Sequence, residues 1–277
     1  MAGGVGSRLY PLSTPEHPKQ FIDLLGCGKT LIQLTYERFL AVDPEARFWV
    51  VTSERYIHFI TEQLPEIPQE QILAEPEARN TAPCIAYACW KIRKKYADTN
   101  IIVTPSDAYV PDVDAFAITM RKALDFTADS NAIVCIGILP TEPHTGYGYI
   151  NADATGEKVT KVNAFKEKPD LETAKSYLAE GGYFWNAGIF VWNAATIESE
   201  IRNHAPQIAS VMDELSPSFY TDSENEELKR FFPTCEKISI DYAVMEKSEN
   251  INMIPGNWAW SDLGSFEAVD KIKTQTL

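Results

Sequence analysis

Met1-Ala2-Gly3-Gly4-Val5-Gly6-Ser7-Arg8-Leu9-Tyr10-Pro11-Leu12-Ser13 is followed by Thr14 to His17 and then by Pro18-Lys19-Gln20-Phe21. Three glycines within four positions, Gly3, Gly4 and Gly6, let backbone N–H groups come close to an anion, because no Cβ stands in the way. Ser7 and then Arg8, a rigid fork of donors, follow at once, and Lys19 adds a mobile point charge. A glycine loop with two cations has the chemistry that a nucleoside triphosphate needs. The spacing is not that of a dinucleotide-binding fingerprint, since Gly4-Val5-Gly6-Ser7-Arg8-Leu9 lacks the third glycine. Nor is it a Walker A loop. Gly28-Lys29-Thr30 looks like the tail of one, but Asp23 stands where its first glycine belongs.

Composition narrows the class. With 277 residues, 45% of them hydrophobic, the chain suits one large domain, or one domain plus a small appendage. A net charge of −14, from 39 acidic and 25 basic residues, argues against nucleic acid and anionic membranes as partners. Phosphates can still bind if the cations gather at one site and magnesium offsets the negative field. Cys27, Cys84, Cys89, Cys135 and Cys235 are odd in number and form no CxxC pair, which speaks against a disulfide framework. His17, His58, His144 and His204 are scattered and form no zinc pattern. No apolar run is long enough to span a membrane and no signal peptide opens the chain, so a reducing cytoplasm is expected.

Strand-like and helix-like segments alternate. A capping box at Thr30 and Gln33 predicts a helix to about Leu40. Helices are also predicted over Tyr56–Leu64, Thr81–Tyr96 and Val113–Ala128. Strands are predicted over Arg47–Thr52, Gln71–Ala74, Asn100–Thr104 and Ala132–Gly137. This βα repeat implies a parallel, doubly wound sheet. The second half is less regular. Tyr147–Asn151, Val159–Phe165 and Gly188–Trp192 read as strands of a mixed extension, Leu171–Ala179 as a helix, and Glu224–Phe232 as a solvated amphipathic helix. The expectation is an α/β, Rossmann-like three-layer domain with a mixed central sheet. It is one domain over 1–277, with halves over roughly 1–140 and 141–277. A glycine loop of this kind is aimed by a hydrophobic strand directly before it. Only Met1-Ala2 stands there, so the leading strand is expected to be missing or truncated, as in an N-terminally shortened sequence.

The opening run resembles the signature of sugar-nucleotide pyrophosphorylases, and its Leu-Ser and Pro-Lys-Gln-Phe details are most similar to mannose-1-phosphate guanylyltransferases. The resemblance continues through Glu75-Pro76-Glu77-Ala78-Arg79-Asn80-Thr81-Ala82-Pro83, Pro105-Ser106-Asp107, Gly146-Tyr147-Gly148-Tyr149-Ile150, Phe165-Lys166-Glu167-Lys168-Pro169, Tyr183-Phe184-Trp185-Asn186-Ala187-Gly188, Ile240-Asp241-Tyr242-Ala243-Val244-Met245-Glu246-Lys247 and Trp258-Ala259-Trp260-Ser261-Asp262-Leu263-Gly264-Ser265. It implies a nucleotide-binding half over roughly 1–140 and a sugar-phosphate-binding half over 141–277, and that Arg8, Lys19 and Lys168 are catalytic. Gly3, Gly4, Gly6, Ser7, Glu75, Asn80, Thr81 and Ser106 would bind the nucleotide. Gly148, Glu167, Asn186 and Asp241 would line the sugar site, and Asp107 and Asp262 would hold magnesium or manganese. Asn80, Thr81 and Asp241 can equally be helix caps, and Asp107 after Pro-Ser can be a turn residue. The family usually has histidine after the first metal aspartate, where this chain has Ala108.

What the resemblance implies is transfer of GMP from GTP to mannose-1-phosphate, giving GDP-mannose and pyrophosphate, with a homodimer as one possible assembly. Two other readings stay open: uridylyl or thymidylyl transfer to glucose-1-phosphate, and a non-catalytic relative that binds GDP-mannose as a sensor.

Overall fold

The computed structural model describes residues 1–276. Its elements in chain order are α1 (Leu31–Leu40), β1 (Val50–Ser53), α2 (Ile57–Gln63), β2 (Ile72–Glu75), α3 (Thr81–Lys95), β3 (Asn100–Val103), α4 (Val113–Ala128), β4 (Ile133–Ile138), β5 (Tyr149–Ala152), β6 (Thr160–Lys166), α5 (Leu171–Glu180), β7 (Tyr183–Asn193), α6 (Ala194–His204), α7 (Pro206–Leu215), α8 (Glu224–Phe231), β8 (Ile251–Gly256) and α9 (Phe266–Thr276). The expected capping box is present: Thr30 and Gln33 exchange side-chain and backbone bonds at the start of α1. Cys84, Cys89, Cys135 and Cys235 are buried, Cys27 is exposed, and all five are free thiols. Among the described residues, no helix is long and apolar enough to cross a membrane.

The chain folds as two compact units that do not follow the order of the sequence. One comprises Met1–Glu75, Pro105–Ile118 and the stretch from Trp258 onward; the other comprises Pro76–Thr104 and Thr119–Asn257. Residues 76–104 therefore belong with the later sheet, and the segment after Trp258 belongs with the opening loop.

The first unit is built on β1 and β2, which pair in parallel with Val50 opposite Ile72 and Ser53 opposite Glu75. Phe21, Ile32, Tyr56, Ile60, Leu64 and Ile72 form one apolar cluster of this unit, with Ala2 among them. The Ala2 N–H donates to the Val51 carbonyl (2.8 Å), and the Ser106 N–H donates to the Met1 carbonyl (3.2 Å). The first two residues thus make strand-like bonds on two sides and hand the chain straight into the glycine loop.

The second unit holds a six-stranded sheet in the order β3-β7-β4-β8-β6-β5. It is not the parallel, doubly wound sheet that the βα repeat suggests. Only β4–β8 is parallel within it; the β3–β7, β4–β7, β6–β8 and β5–β6 pairs are antiparallel. The cause is β7, an antiparallel strand of 11 residues that pairs with β4 along one edge. On its other edge its second half pairs with β3 and its first half with β5. Five strands, β7, β4, β8, β6 and β5, therefore close a cycle of pairings. Helices α6 and α7 and strand β8 carry signals that are easy to pass over. Asn193 caps α6, Pro206 opens α7, and Pro255 sits inside β8, where proline argues against a strand. Nor is α8 wholly solvated: Leu228 is buried and Glu224 pairs with the buried Lys91.

Gly137 on β4 shows how tightly this sheet is packed. A Cβ there would lie 2.7 Å from Met253 Sδ and 2.9 Å from Phe184 Cβ. Overpacking a filled core costs about 1–3 kcal/mol. Gly137→Ala is expected to lower the melting temperature by several degrees, and Met253→Ala added to it should recover part of the loss. Thermal unfolding of the two variants and the parent, followed by circular dichroism, checks this coupling.

Candidate active site

The first unit gathers Arg8, Lys19, Asp107 and Asp262, and its core explains how. Leu9, Leu263 and Tyr109 belong to one apolar cluster with Leu24, Leu31 and Val269. Leu9 follows Arg8, Leu263 follows Asp262, and Tyr109 lies two residues after Asp107. Burying the apolar neighbours thus sets the position of the polar residues. An isolated antiparallel bridge adds register: Tyr109 N–H donates to the Ser261 carbonyl (2.8 Å) and Ser261 N–H to the Tyr109 carbonyl (3.1 Å). Leu263 is fully buried at φ 48°, a conformation rare for a side chain with a Cβ, and it turns the loop at Asp262.

Lys19 is the hub. It is buried, and its ammonium makes a salt bridge of 3.0 Å to Asp107 Oδ2 and donates to the Asp262 and Leu263 carbonyls. Three donors meet three oxygens. Arg8 is exposed and pairs with Asp262 Oδ2 at 3.2 Å. The two pairs differ in strength. An exposed pair is worth about 0.2–1 kcal/mol, whereas breaking a buried one costs about 3–5 kcal/mol. Arg8 is thus the cation that changes partner easily. Gly264 makes room for it: a Cβ there would lie 2.5 Å from Asp262 Oδ2 and 2.7 Å from an Arg8 terminal nitrogen.

The glycine loop offers donors. Among the described residues, the backbone N–H groups of Gly3, Gly4, Val5, Gly6, Ser7 and Arg8 donate to no group of the chain. Gly6 sits at φ 58°, and a Cβ there would meet Ser13 Oγ at 2.6 Å. Gly4 faces open space. A run of unpaired amides beside cations is an anion-binding concavity. Ser106, buried at the end of the Pro105-Ser106-Asp107 turn, is fixed by its N–H bond to Met1.

Glu75 ends β2, at the C-terminal edge of the parallel pair. Its Oε2 lies 3.4 Å from where a Gly3 Cβ would be, and its buried Oε1 has no hydrogen-bond partner. Burial pushes its carboxyl up to about 7. A buried acceptor left unpaired is costly to the fold and suits a ligand that brings donors.

The second unit brings together Gly148, Glu167, Lys168, Asn186 and Asp241. The register between β4 and β7 shifts from Cys135 opposite Phe190 to Gly137 opposite Asn186, and Gly188 in this bulge has φ 69°. The bulge re-aims Asn186. Its N–H donates to the Gly148 carbonyl (2.8 Å), its Oδ1 accepts from Gly188 N–H (2.9 Å), and its Nδ2 donates to Asp241 Oδ1 (3.1 Å). Gly148 must be glycine, because a Cβ would meet Glu167 Oε2 at 2.6 Å. Glu167 is buried and pairs with the exposed Lys168, whose φ is 42°. Burial, and the nearby Glu167 charge, push the Asp241 carboxyl up to about 6.

Asn80 and Thr81 act at the start of α3. Asn80 Oδ1 accepts from Thr81 N–H, and Thr81 Oγ1 accepts from Ile240 N–H (2.9 Å). Together with the Ala82 N–H bond to the Ile238 carbonyl, they hold the segment that leads into Asp241. Sequence reasoning gave no part to Glu246, whose carboxylate accepts from the Glu167 N–H (3.0 Å) and fixes the Lys-Glu-Lys-Pro turn. No spacing rule would have marked it.

The Glu75 shift has a checkable sign. Between about 4.5 and 7 the folded protein holds a proton on Glu75 that the unfolded chain has released, so stability falls as pH rises through that window. Glu75→Gln is expected to leave stability unchanged near pH 4.5 and to raise it at pH 8. Melting temperatures of both proteins across pH 4.5–8 test this, and parallel curves would contradict it.

The chain is similar to known proteins over its whole length. The Nucleotidyl transferase family profile matches residues 1–277. The chain is 39% identical over 280 residues to the xanthan biosynthesis protein XanB of Xanthomonas campestris pv. campestris (strain B100), covering 99% of this chain and 59% of that protein. It is 36% identical over 289 residues to the mannose-1-phosphate guanylyltransferase of Escherichia coli K12, covering 100% of this chain and 59% of that protein. It therefore spans about three-fifths of the length of these relatives. A solved structure named mannose-1-phosphate geranyltransferase, from Thermus thermophilus, superposes with a TM-score of 0.88 at 31% identity, covering 98% of this chain and 77% of the other.

Proposed function

The chain belongs to the nucleotidyl transferase family, and we propose that it transfers GMP from GTP to mannose-1-phosphate, releasing pyrophosphate. The observation that carries this reading is the run of unpaired amides at Gly3–Arg8, set in one unit with two cations and two carboxylates.

In this reading the loop amides and Arg8 hold the β and γ phosphates. A phosphate oxygen of the sugar phosphate forms a bond to the α-phosphorus while the bond to the bridging oxygen breaks, and pyrophosphate carries the electrons away. No protein base is needed, because the second pKa of a phosphate monoester is ~6 and the nucleophile is already mostly ionised. Catalysis is positioning plus stabilisation of the charge on the leaving group.

Enzymes of this family use divalent metal ions. Asp107 and Asp262 present hard carboxylate oxygens, each now neutralised by a cation, which suits magnesium or manganese. Such an ion, when bound there, would offset the charge on the α-phosphate. With Asp107 turned to such an ion, Lys19 would keep its two carbonyl partners and have one N–H to give to a phosphate oxygen, and Arg8, released from Asp262, would be available to the leaving pyrophosphate.

The base is read by Glu75. Guanine offers N1–H and N2–H₂ as donors, and the buried carboxylate has an unpaired Oε1 to receive them. Glu167, Asn186 and Asp241 read the sugar hydroxyls, and Lys168 holds the sugar's phosphate. A site built to bond a hydroxyl rejects the sugar in which that hydroxyl is moved, because its own polar groups are left unpaired. Mannose and glucose differ at C2, so mannose-1-phosphate is preferred.

Pyrophosphate release with GTP and mannose-1-phosphate, run beside ATP, UTP, dTTP and glucose-1-phosphate, tests the assignment. GTP with mannose-1-phosphate is expected to give the highest kcat/KM. A higher value for UTP or dTTP with glucose-1-phosphate would move the assignment to another base and sugar, and no release with any pair would remove it. Asp107→Asn and Asp262→Asn are each expected to abolish turnover; Asp262→Asn loses only an exposed pair and should leave the melting curve in place, whereas Asp107→Asn removes the charge that answers the buried Lys19 and should lower the melting temperature. Full activity in excess EDTA would contradict the metal role.

A further inference from the structure

The amide side chain of Gln20 is buried at 1% exposure, and both of its N–H bonds are spent on the glycine loop. Nε2 donates to the Ala2 carbonyl at 3.0 Å and to the Gly4 carbonyl at 2.9 Å. Two more buried side chains do the same work nearby. Thr52 Oγ1 donates to the Ala2 carbonyl (2.9 Å), and Ser13 Oγ donates to the Val5 carbonyl (3.0 Å). The carbonyls of Ala2, Gly4 and Val5 are thus all turned toward buried donors.

A trans peptide is planar, and its C=O and N–H point in opposite directions. Fixing the carbonyl of one residue therefore fixes the N–H of the next on the opposite side. Holding Ala2, Gly4 and Val5 turns the N–H groups of Gly3, Val5 and Gly6 away from the interior, and these are among the amides that have no partner in the chain. Glycine-rich backbone is flexible by itself, and without this restraint the loop would lose the amide array to other conformations.

We propose that Gln20 is a positioning residue for the phosphate cradle: it holds two loop carbonyls inward so that the amides of Gly3 and Val5 are set in advance for a triphosphate. Gln20 acts through the backbone and does not itself touch the nucleotide. The inference rests on the nucleotide-binding reading of the loop. The Gly4 carbonyl has Gln20 as its holder, whereas Ala2 has Thr52 in reserve, so the Gly4–Val5 peptide is where loss of Gln20 is felt most.

The test compares ligands that do and do not carry the triphosphate. Gln20→Met keeps the approximate volume and removes both donors. Binding of inorganic tripolyphosphate and of GTP would be measured by calorimetry, and binding of guanosine by ligand-detected NMR. The variant is expected to bind tripolyphosphate and GTP about 10- to 100-fold more weakly, with guanosine affinity within about twofold of the parent. Ser13→Ala, which frees only the Val5 carbonyl, should show the same pattern with a smaller loss, and it carries the test if Gln20→Met does not fold. Unchanged tripolyphosphate affinity in a folded variant would overturn the inference and leave the nucleotide reading standing. An equal loss for guanosine would overturn it too, by showing direct contact or general collapse. A parent protein that binds neither GTP nor tripolyphosphate would remove the nucleotide reading and the inference with it.

Discussion

One buried ammonium organises the first unit. Lys19 is tied to the Asp107 carboxylate and to the carbonyls of Asp262 and Leu263, segments that lie far apart in the chain. A charge taken out of water at that depth is tolerated only when its donors are all answered, and here they are. The requirement fixes the geometry of both acidic loops before any ligand arrives. It also sets a division of labour, with Lys19 held on its two carbonyls and the exposed Arg8 free to swing away from its carboxylate.

The second unit solves a different problem, which is to keep carboxylates buried and close together. Glu167 and Asp241 would repel each other if nothing intervened. Lys168 and the Asn186 amide stand beside them, and part of the cost shows as a raised Asp241 carboxyl. The bulge in β7, the absent side chain at Gly148 and the Thr81 hydroxyl bond are the local devices that make the cluster possible. Each is a packing or backbone feature, and each serves the polar groups it surrounds.

Much of this was legible in the sequence. The capping box at Thr30, the helix over Val113–Ala128 and the strand near Ala132–Gly137 follow from local pattern. The candidate site residues were named through the resemblance of their motifs to a known family; taken alone, Lys166-Glu167-Lys168-Pro169 reads as a charged strand end and Asp107 as a turn residue. What stayed hidden depended on long-range pairing. The βα repeat suggested parallel strands, and nothing local shows that β7 runs antiparallel and serves both β3 and β5. Pro255 concealed β8. The supporting bonds were equally invisible: Gln20 stood in a quoted motif without a role, and Glu246 acts across 79 residues of chain on the Glu167 amide.

In the proposed reaction Asp107 and Asp262 give up their cations to a metal ion while the Gly3–Arg8 amides take the triphosphate. A crystal structure with GTP and manganese, with the metal located by anomalous scattering, tests it most directly. The expected result is a manganese peak bound to both carboxylates, Arg8 moved from Asp262 to a phosphate oxygen, β and γ phosphates on the loop amides, and guanine donors on Glu75. Manganese bound to neither carboxylate, or a triphosphate bound away from the glycine loop, would contradict it.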